Sequence, residues 1–369
     1  MSIQIENKTI GTDQPVFIIA EIGVNHEGDF ETCKKMVEES ARAGADAIKL
    51  QTVDADENYV EGTFSWTLFR TCALNKEETA EIFRITRELG MVPFTTSPDV
   101  HTLKWVNDDC NSPVHKISSG MMTNDIIIRE TAKMGRPVLI STGLGTTEQI
   151  DHAVKVARDA GCLDNLALFQ CTSQYPVEHD KINLATMKWM ADRYGVMTGF
   201  SDHTKGIEAP MVATTLGAVM IEKHVTLTPG RQVEIGGQMM DFDHHIGLDF
   251  GEFAAMVEGV RRAENMTFDQ ICEEIPTAKA MVGEGERFVP EEIQKQAAGM
   301  SRCLVARQSI KAGDILTTDN IGLKRPFPDS RGMEPFMYDQ VLGMTASSDM
   351  DVDTPVKEND VEGLEQSAA

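Results

Sequence analysis

From residue 16 to about residue 265 the chain repeats one pattern. A short, almost wholly apolar run is followed by a longer stretch whose apolar residues recur at helical spacing. The short runs are VFIIAEIG (16–23), AIKLQ (47–51), VPFTTS (92–97), VHKIS (114–118), PVLIST (137–142), LALFQCT (166–172), VMTGFSD (196–202) and VMIEKHVT (219–226). Between them lie stretches such as DFETCKKMVEESARAGA and KEETAEIFRITRELG, each with a glycine near its end as a helix stop. Strands separated by helices run parallel, because the crossover returns the chain to its starting end. Eight such units in this length predict an α/β fold, the (β/α)8 TIM barrel, over residues 1–270. The competing doubly wound sheet needs fewer strands and often a glycine-rich phosphate loop, and GxGxxG is absent.

The periodicity fades after the barrel. Residues 271–300 are polar, carry Gly283 and Gly285, and read as a linker. Residues 301–361 read as a small β-rich domain with a weak internal repeat, SIKAGDILTTDNI (309–321) against MDVDTPVKENDV (350–361). The tail, 362–369, is expected to be disordered.

Composition narrows the partners. Of 369 residues, 41% are hydrophobic, enough for a real core, and the net charge is −24. Such acidity excludes a nucleic-acid partner and an anionic membrane surface, both of which need a basic face. Seven scattered cysteines without a C-x-x-C pair point to reduced thiols. The start, MSIQIENKTI, lacks a signal-peptide pattern, and no apolar run approaches the ~20 residues that cross a bilayer. A cytoplasmic protein is the expectation.

Candidate chemistry gathers at the predicted strand ends, which form the catalytic rim of a parallel barrel. They supply Glu21, Lys49, Gln51, Thr96, Lys116, Ser119, Ser141, Ser173, Ser201, His203, Glu222 and His224. Lys49 and Lys116 lie within apolar strands and are costly to bury without anions. With the hydroxyls they make a pocket for phosphate or carboxylate. The simpler use is a lysine–glutamate pair in the barrel mouth, and the sharper one a Schiff base. His203 and His224 end adjacent strands and suit a divalent ion, Mn²⁺ before Mg²⁺ or Co²⁺, with Glu21 and Asp243 nearby. His244 and His245 are not read as ligands, and Cys171 lacks an adjacent base that would make it a nucleophile.

In order, EIGVNHEGD (21–29), IKLQT (48–52), HKISSG (115–120), LISTG (139–143), QCTSQYP (170–176), GFSDHT (199–204) and IEKHVT (221–226) resemble the sialic acid synthase family. IKAGDILTTDNIGLKRP (310–326) resembles that family's antifreeze-like SAF domain, a β-clip fold. The resemblance implies condensation of phosphoenolpyruvate with an N-acylated hexosamine such as N-acetylmannosamine, giving a nine-carbon 2-keto acid and phosphate. It places Lys49, Thr96, Lys116, Ser119, Ser141, Ser173 and Ser201 on phosphoenolpyruvate and His203 and His224 on the metal. Gln51, Tyr175 and Arg325 fall near the sugar, and Glu21 and Asp243 become the catalytic carboxylates. Arg325 is expected to reach a partner's barrel, which makes the protein a domain-swapped homodimer. Met121 stands where the family commonly carries an acidic residue, Ser173 where it commonly carries Asn. The segment 229–243 is longer than usual, and FPDSRGMEP replaces a glycine-rich turn after KRP. These departures keep legionaminic or pseudaminic acid synthesis open as the specific reaction. A Schiff-base aldolase and a non-catalytic sugar-binding paralogue are the other readings.

Overall fold

The computed structural model describes residues 1–287, 289, 291–327 and 329–364. An antiparallel hairpin, β1 (Ser2–Ile5) and β2 (Lys8–Gly11), precedes the barrel. Its alternate residues Ile3, Ile5 and Ile10 are buried in one cluster with Phe17, Ile19 and Phe94, closing the end of the barrel opposite the polar rim. Eight parallel strands then close on themselves. They are β3 (Phe17–Gly23), β4 (Ala47–Gln51), β5 (Val92–Thr96), β6 (His115–Ile117), β7 (Val138–Ser141), β8 (Leu166–Gln170), β9 (Met197–Asp202) and β10 (Met220–His224). β10 pairs with both β9 and β3, which completes the ring.

Period-two alternation sorts every strand into two faces. On β3, Ile18, Ala20 and Ile22 join the helix-facing cluster, whereas Phe17 and Ile19 fill the barrel interior. Glu21 continues the inward series. The same count from Ala47 reaches Lys49 and Gln51, from Phe94 Thr96, and from Val114 Lys116. Leu139 leads to Ser141, and Met220 leads to Glu222 and His224. The barrel is therefore apolar in its lower layers and ionic in its upper one. Gly199 sits in the interior, where a Cβ would come within 2.9 Å of the Phe169 ring and the Met220 carbonyl.

The expected linker is not an open connection. Residues 271–300 hold a helix at Ala278–Val282, the end of Phe268–Glu274, and Glu291–Met300. Ile271 of the first helix, and Ala278 and Met281 three apart on the second, are buried against the barrel's outer cluster. The backbone N–H groups of Leu184 and Ala185 donate to the carbonyls of Met281 and Val282. Two short hairpins complete the chain's named strands. β11 (Val233–Ile235) and β12 (Gln238–Met240) fold the long segment 229–243 around Gly236 and Gly237, whose φ values of 56° and 78° suit a tight turn. β13 (Cys303–Ala306) pairs antiparallel with β14 (Ile321–Lys324) in the C-terminal domain. The two repeat halves meet there through an antiparallel Ile310–Met350 bridge. Of the tail expected to be disordered, residues 365–369 lie outside the described residues, and Leu364 packs against the C-terminal core. Among the described residues no helix is long and apolar enough to cross a membrane.

His26 and His115 are buried, and desolvation pushes both imidazoles down to about 4. In the unfolded chain they take up protons near 6.5. Their contribution to stability is therefore complete above pH 6.5 and is lost as pH falls from there towards 4. Urea unfolding at pH 5 is expected to show a loss of order 2 kcal/mol per histidine relative to pH 7. A midpoint that stays flat over this range contradicts neutral burial.

Candidate active site

The inward residues of the strand ends line a single cavity of about 280 Å³ at the barrel's C-terminal rim. Glu21, Lys49, Gln51, Thr96, Lys116, Ser119, Ser141, Ser173, Tyr175, Ser201, His203, His224, Asp243 and Arg325 all contribute to its wall. Strand register explains the grouping. Across neighbouring strands His224 stands beside Glu21, Glu21 beside Lys49, Gln51 beside Thr96, and Thr96 beside Lys116.

The floor is an ionic cluster that the strand-end series alone does not reveal. Lys49 Nζ donates to Glu21 Oε1 at 2.6 Å and lies 3.5 Å from Glu222 Oε1. Lys116 Nζ donates to Glu222 Oε2 at 2.7 Å, and Ser201 Oγ donates to Glu222 Oε1 at 2.8 Å. Glu222 thus bridges both lysines from across the barrel. Burial resists ionisation of Glu21, yet Lys49, with His224 and Lys116 behind it, holds this carboxyl well below the usual range. Burial also opposes the charge on Lys49, but Glu21 and Glu222 together raise its pKa. Lys116 has only Glu222 close by and Lys49 as a repelling neighbour, so burial leaves its amine below the ordinary value. Thr96 Oγ1 is buried and has no hydrogen-bond partner. It is a hydroxyl held ready for a ligand.

His203 and His224 face each other with ring centroids 5.9 Å apart. The Nδ1–H of His203 donates to the Thr172 carbonyl at 2.8 Å, which leaves Nε2 with its lone pair. Burial and the neighbouring His224 lower the His203 pKa, so the ring is neutral, the form that binds metal. His224 Nδ1 is buried without a partner, and its Nε2 lies 3.6 Å from Glu21 Oε2 and 3.9 Å from Asp243 Oδ2. Among the described residues no three His, Cys, Asp or Glu side chains converge as a closed metal site. Two imidazoles, one with an orphaned nitrogen, fit an open site, completed by solvent and substrate oxygens.

Asp243 owes its place to the long segment. Val233, Ile235 and Met240 of the β11–β12 hairpin pack on a cluster with Leu68 and Phe242. Phe242 and Asp243 then take φ values of 49° and 63°, a left-handed turn uncommon for these residues, and Asp243 enters the cavity wall. Tyr175 stacks its ring 4.1 Å from that of His203. Cys171 is buried, and desolvation pushes its thiol above the ordinary value.

Within the single chain Arg325 meets the loop after β4: its backbone N–H donates to the Asn58 carbonyl at 2.8 Å and its carbonyl accepts from the Val60 N–H. Its guanidinium lies 5.4 Å from the Tyr59 ring centroid. Two further arginines were not legible as site residues. Arg302 lines the cavity beside Arg325. Arg287, from the helical connection, donates to the carbonyls of Thr142, Gly143 and Gly145, fixing the loop after β7 that follows Ser141.

The protein is thus of the class that pairs a closed parallel barrel, with an ionic cavity at its C-terminal rim, with a small β domain over that rim. A model of the NeuB family matches residues 36–271, and a SAF domain model matches residues 301–362. The chain belongs to the NeuB family. Protein MJ1065 of Methanocaldococcus jannaschii, called uncharacterized, is 33% identical, over 98% of this chain and 99% of its own length. A pseudaminic acid synthase of Campylobacter jejuni is 31% identical, over 97% of this chain and 99% of its own. The crystal structure of the spore coat polysaccharide biosynthesis protein SpsE of Bacillus subtilis superposes with a TM-score of 0.82, at 26% identity and 100% coverage of both chains.

Proposed function

We propose that this protein is an ulosonic acid synthase that condenses phosphoenolpyruvate with an N-acylated hexosamine, N-acetylmannosamine or a pseudaminic- or legionaminic-type relative, and releases phosphate. The observation that carries this reading is the pairing of two buried lysines and a ring of hydroxyls with two open histidines in one cavity. Lys49, Lys116, Thr96, Ser119, Ser141, Ser173 and Ser201 would hold the phosphate and carboxylate of phosphoenolpyruvate. In a partly dry cavity such fixed donors stabilise developing charge without reorganising. Gln51, Tyr175 and Arg325 would orient the open-chain sugar.

His203 and His224 would hold a divalent ion, Mn²⁺ in the first instance, which supplies Lewis acidity at the sugar aldehyde. C3 of phosphoenolpyruvate attacks the aldehyde carbon, and C2 becomes an oxocarbenium-like centre. Water adds at C2, and the tetrahedral intermediate expels phosphate by C–O cleavage. Glu21, ionised by its neighbours, and Asp243 at the rim would take the proton from that water and return one to the new hydroxyl. Lys49 is ion-paired and held protonated, which suits an electrostatic role over a Schiff base. Borohydride treatment in the presence of both substrates is accordingly expected to leave the lysines unmodified; a trapped adduct on Lys49 or Lys116 favours an aldolase instead.

A homodimer in the cytoplasm completes the proposal. All seven cysteines are unpaired, in keeping with a reducing compartment. Exchange of C-terminal domains between two copies would bring the same Arg325 to the same seam as the arrangement within one chain.

A further inference from the structure

The two rim histidines are joined, behind the cavity wall, by a buried ion pair. Asp202 and Lys223, each one residue before His203 or His224, are register partners on β9 and β10. Ser201 and Glu222 line the cavity, so alternation turns Asp202 and Lys223 outward, in series with Phe200 and Ile221 of the helix-facing layer. There Lys223 Nζ donates to Asp202 Oδ2 at 2.6 Å, with both side chains at most 1% exposed. Asp202 Oδ1 accepts from the Thr204 N–H at 2.8 Å and Oδ2 from the Thr204 hydroxyl at 3.1 Å, which closes an Asx turn over His203. Lys223 Nζ also donates to the Thr204 carbonyl. The backbone on both sides of His203 is thus tied to the residue that precedes His224.

Stability alone does not account for this pair. Two buried charges pay heavily for desolvation, and apolar side chains of the same volume often hold such a layer as well or better. What an apolar pair lacks is direction. The ion pair fixes two adjacent strand ends to within a hydrogen bond, and those ends carry imidazoles whose centroids stand 5.9 Å apart. The His203 ring has a brace of its own in the Thr172 carbonyl. His224 Nδ1 is buried without a partner, so the place of that ring depends more on its backbone. We infer that Asp202 and Lys223 are positioning residues, which hold His203 and His224 at the spacing of an open metal site before any ion arrives. Neither lines the cavity, and both act through the histidine backbones. This inference rests on the metal role proposed above.

Mn²⁺ binding to the metal-free, full-length protein, read by loss of the free-ion paramagnetic resonance signal, tests it in the unaltered chain and in D202N/K223M. The double variant removes both charges together and keeps an acceptor for the Thr204 N–H, so no unpaired charge is left buried. Its melting temperature is expected to stay within about 5 °C of the original, while its Kd for Mn²⁺ rises about 10-fold or more. The Kd for phosphoenolpyruvate without metal should stay within about twofold, because Lys49 and Lys116 are held by other partners. Hydrogen exchange in the unaltered protein decides the point whether or not the variant folds. Peptides over 200–206 and 221–226 should be protected without metal, and Mn²⁺ should slow their exchange by less than about twofold. Protection that appears only with Mn²⁺, an unchanged Mn²⁺ Kd in the folded variant, or a phosphoenolpyruvate Kd that rises in step with it overturns the inference and leaves the metal role intact. An unaltered protein that takes up no Mn²⁺ overturns both.

Discussion

Replacing Glu222 by glutamine is expected to lower turnover by about 100-fold or more and to destabilise the protein by roughly 3 kcal/mol. The shape is kept and one buried charge is lost, but that charge serves both Lys116, at 2.7 Å, and Lys49, at 3.5 Å. Without it Lys116 has no counterion in contact, and the cost of a buried unpaired ammonium falls on the folded state. Phosphoenolpyruvate brings the missing negative charge, so its presence should recover more thermal stability in E222Q than in the unaltered protein. The KM for phosphoenolpyruvate should not rise, because the lysines that bind it become less neutralised; the loss belongs in kcat, since the lysines are no longer held in line. Melting curves with and without phosphoenolpyruvate, together with steady-state kinetics, read all three effects. An E222Q protein as stable and as active as the original would show that the bridge is incidental.

Replacing His203 by alanine is expected to reduce turnover by about 1000-fold or more while the fold persists. Among the described residues its buried ring joins no ion pair, and its side-chain hydrogen bond is the Nδ1–H to the Thr172 carbonyl. Deleting it should cost little more than the packing of one rim side chain. Exhaustive chelation of the unaltered protein should reproduce the kinetic loss, and Mn²⁺ should restore activity there but not in H203A. Metal-dependent thermal stabilisation provides the second readout, present in the unaltered protein and lost in the variant. Full activity after chelation contradicts the metal role of His203 and His224.

Much of this site is legible in the sequence because a barrel strand is a ruler. Once VFIIAEIG is read as a strand with Ile19 inward, Glu21 must face inward at the top, and the same holds for Lys49 and His224. Pairing across the barrel is a different matter. Lys116 and Glu222 are 106 residues apart, and only the closed ring shows that one glutamate meets both lysines. The connection at 271–300 reads as a linker because its polar face dominates and its helices are short, so that Ile271 on one and Ala278 and Met281 on the next give no sustained period. β1 and β2 are short, and their alternation in SIQI and KTIG precedes the repeating pattern that reveals the barrel. Arg302 is hidden for a further reason: it belongs to a different domain, and its burial depends on docking against Asn58 and Tyr59.

The acidity also takes a definite shape. A net charge of −24 is spread over the surface, while Lys49, Lys116, Arg302 and Arg325 gather at one rim against Glu21, Glu222 and Asp243. The cavity therefore concentrates cations that the rest of this acidic protein lacks.

The central claim is condensation with C–O cleavage, and phosphoenolpyruvate labelled with heavy oxygen at its bridging enol position tests it most directly. With Mn²⁺ and an N-acylated hexosamine, phosphate release should require both substrates, the label should appear in the phosphate, and the sugar should gain the pyruvyl carbons. Unlabelled phosphate, or release that is indifferent to the sugar, would contradict it.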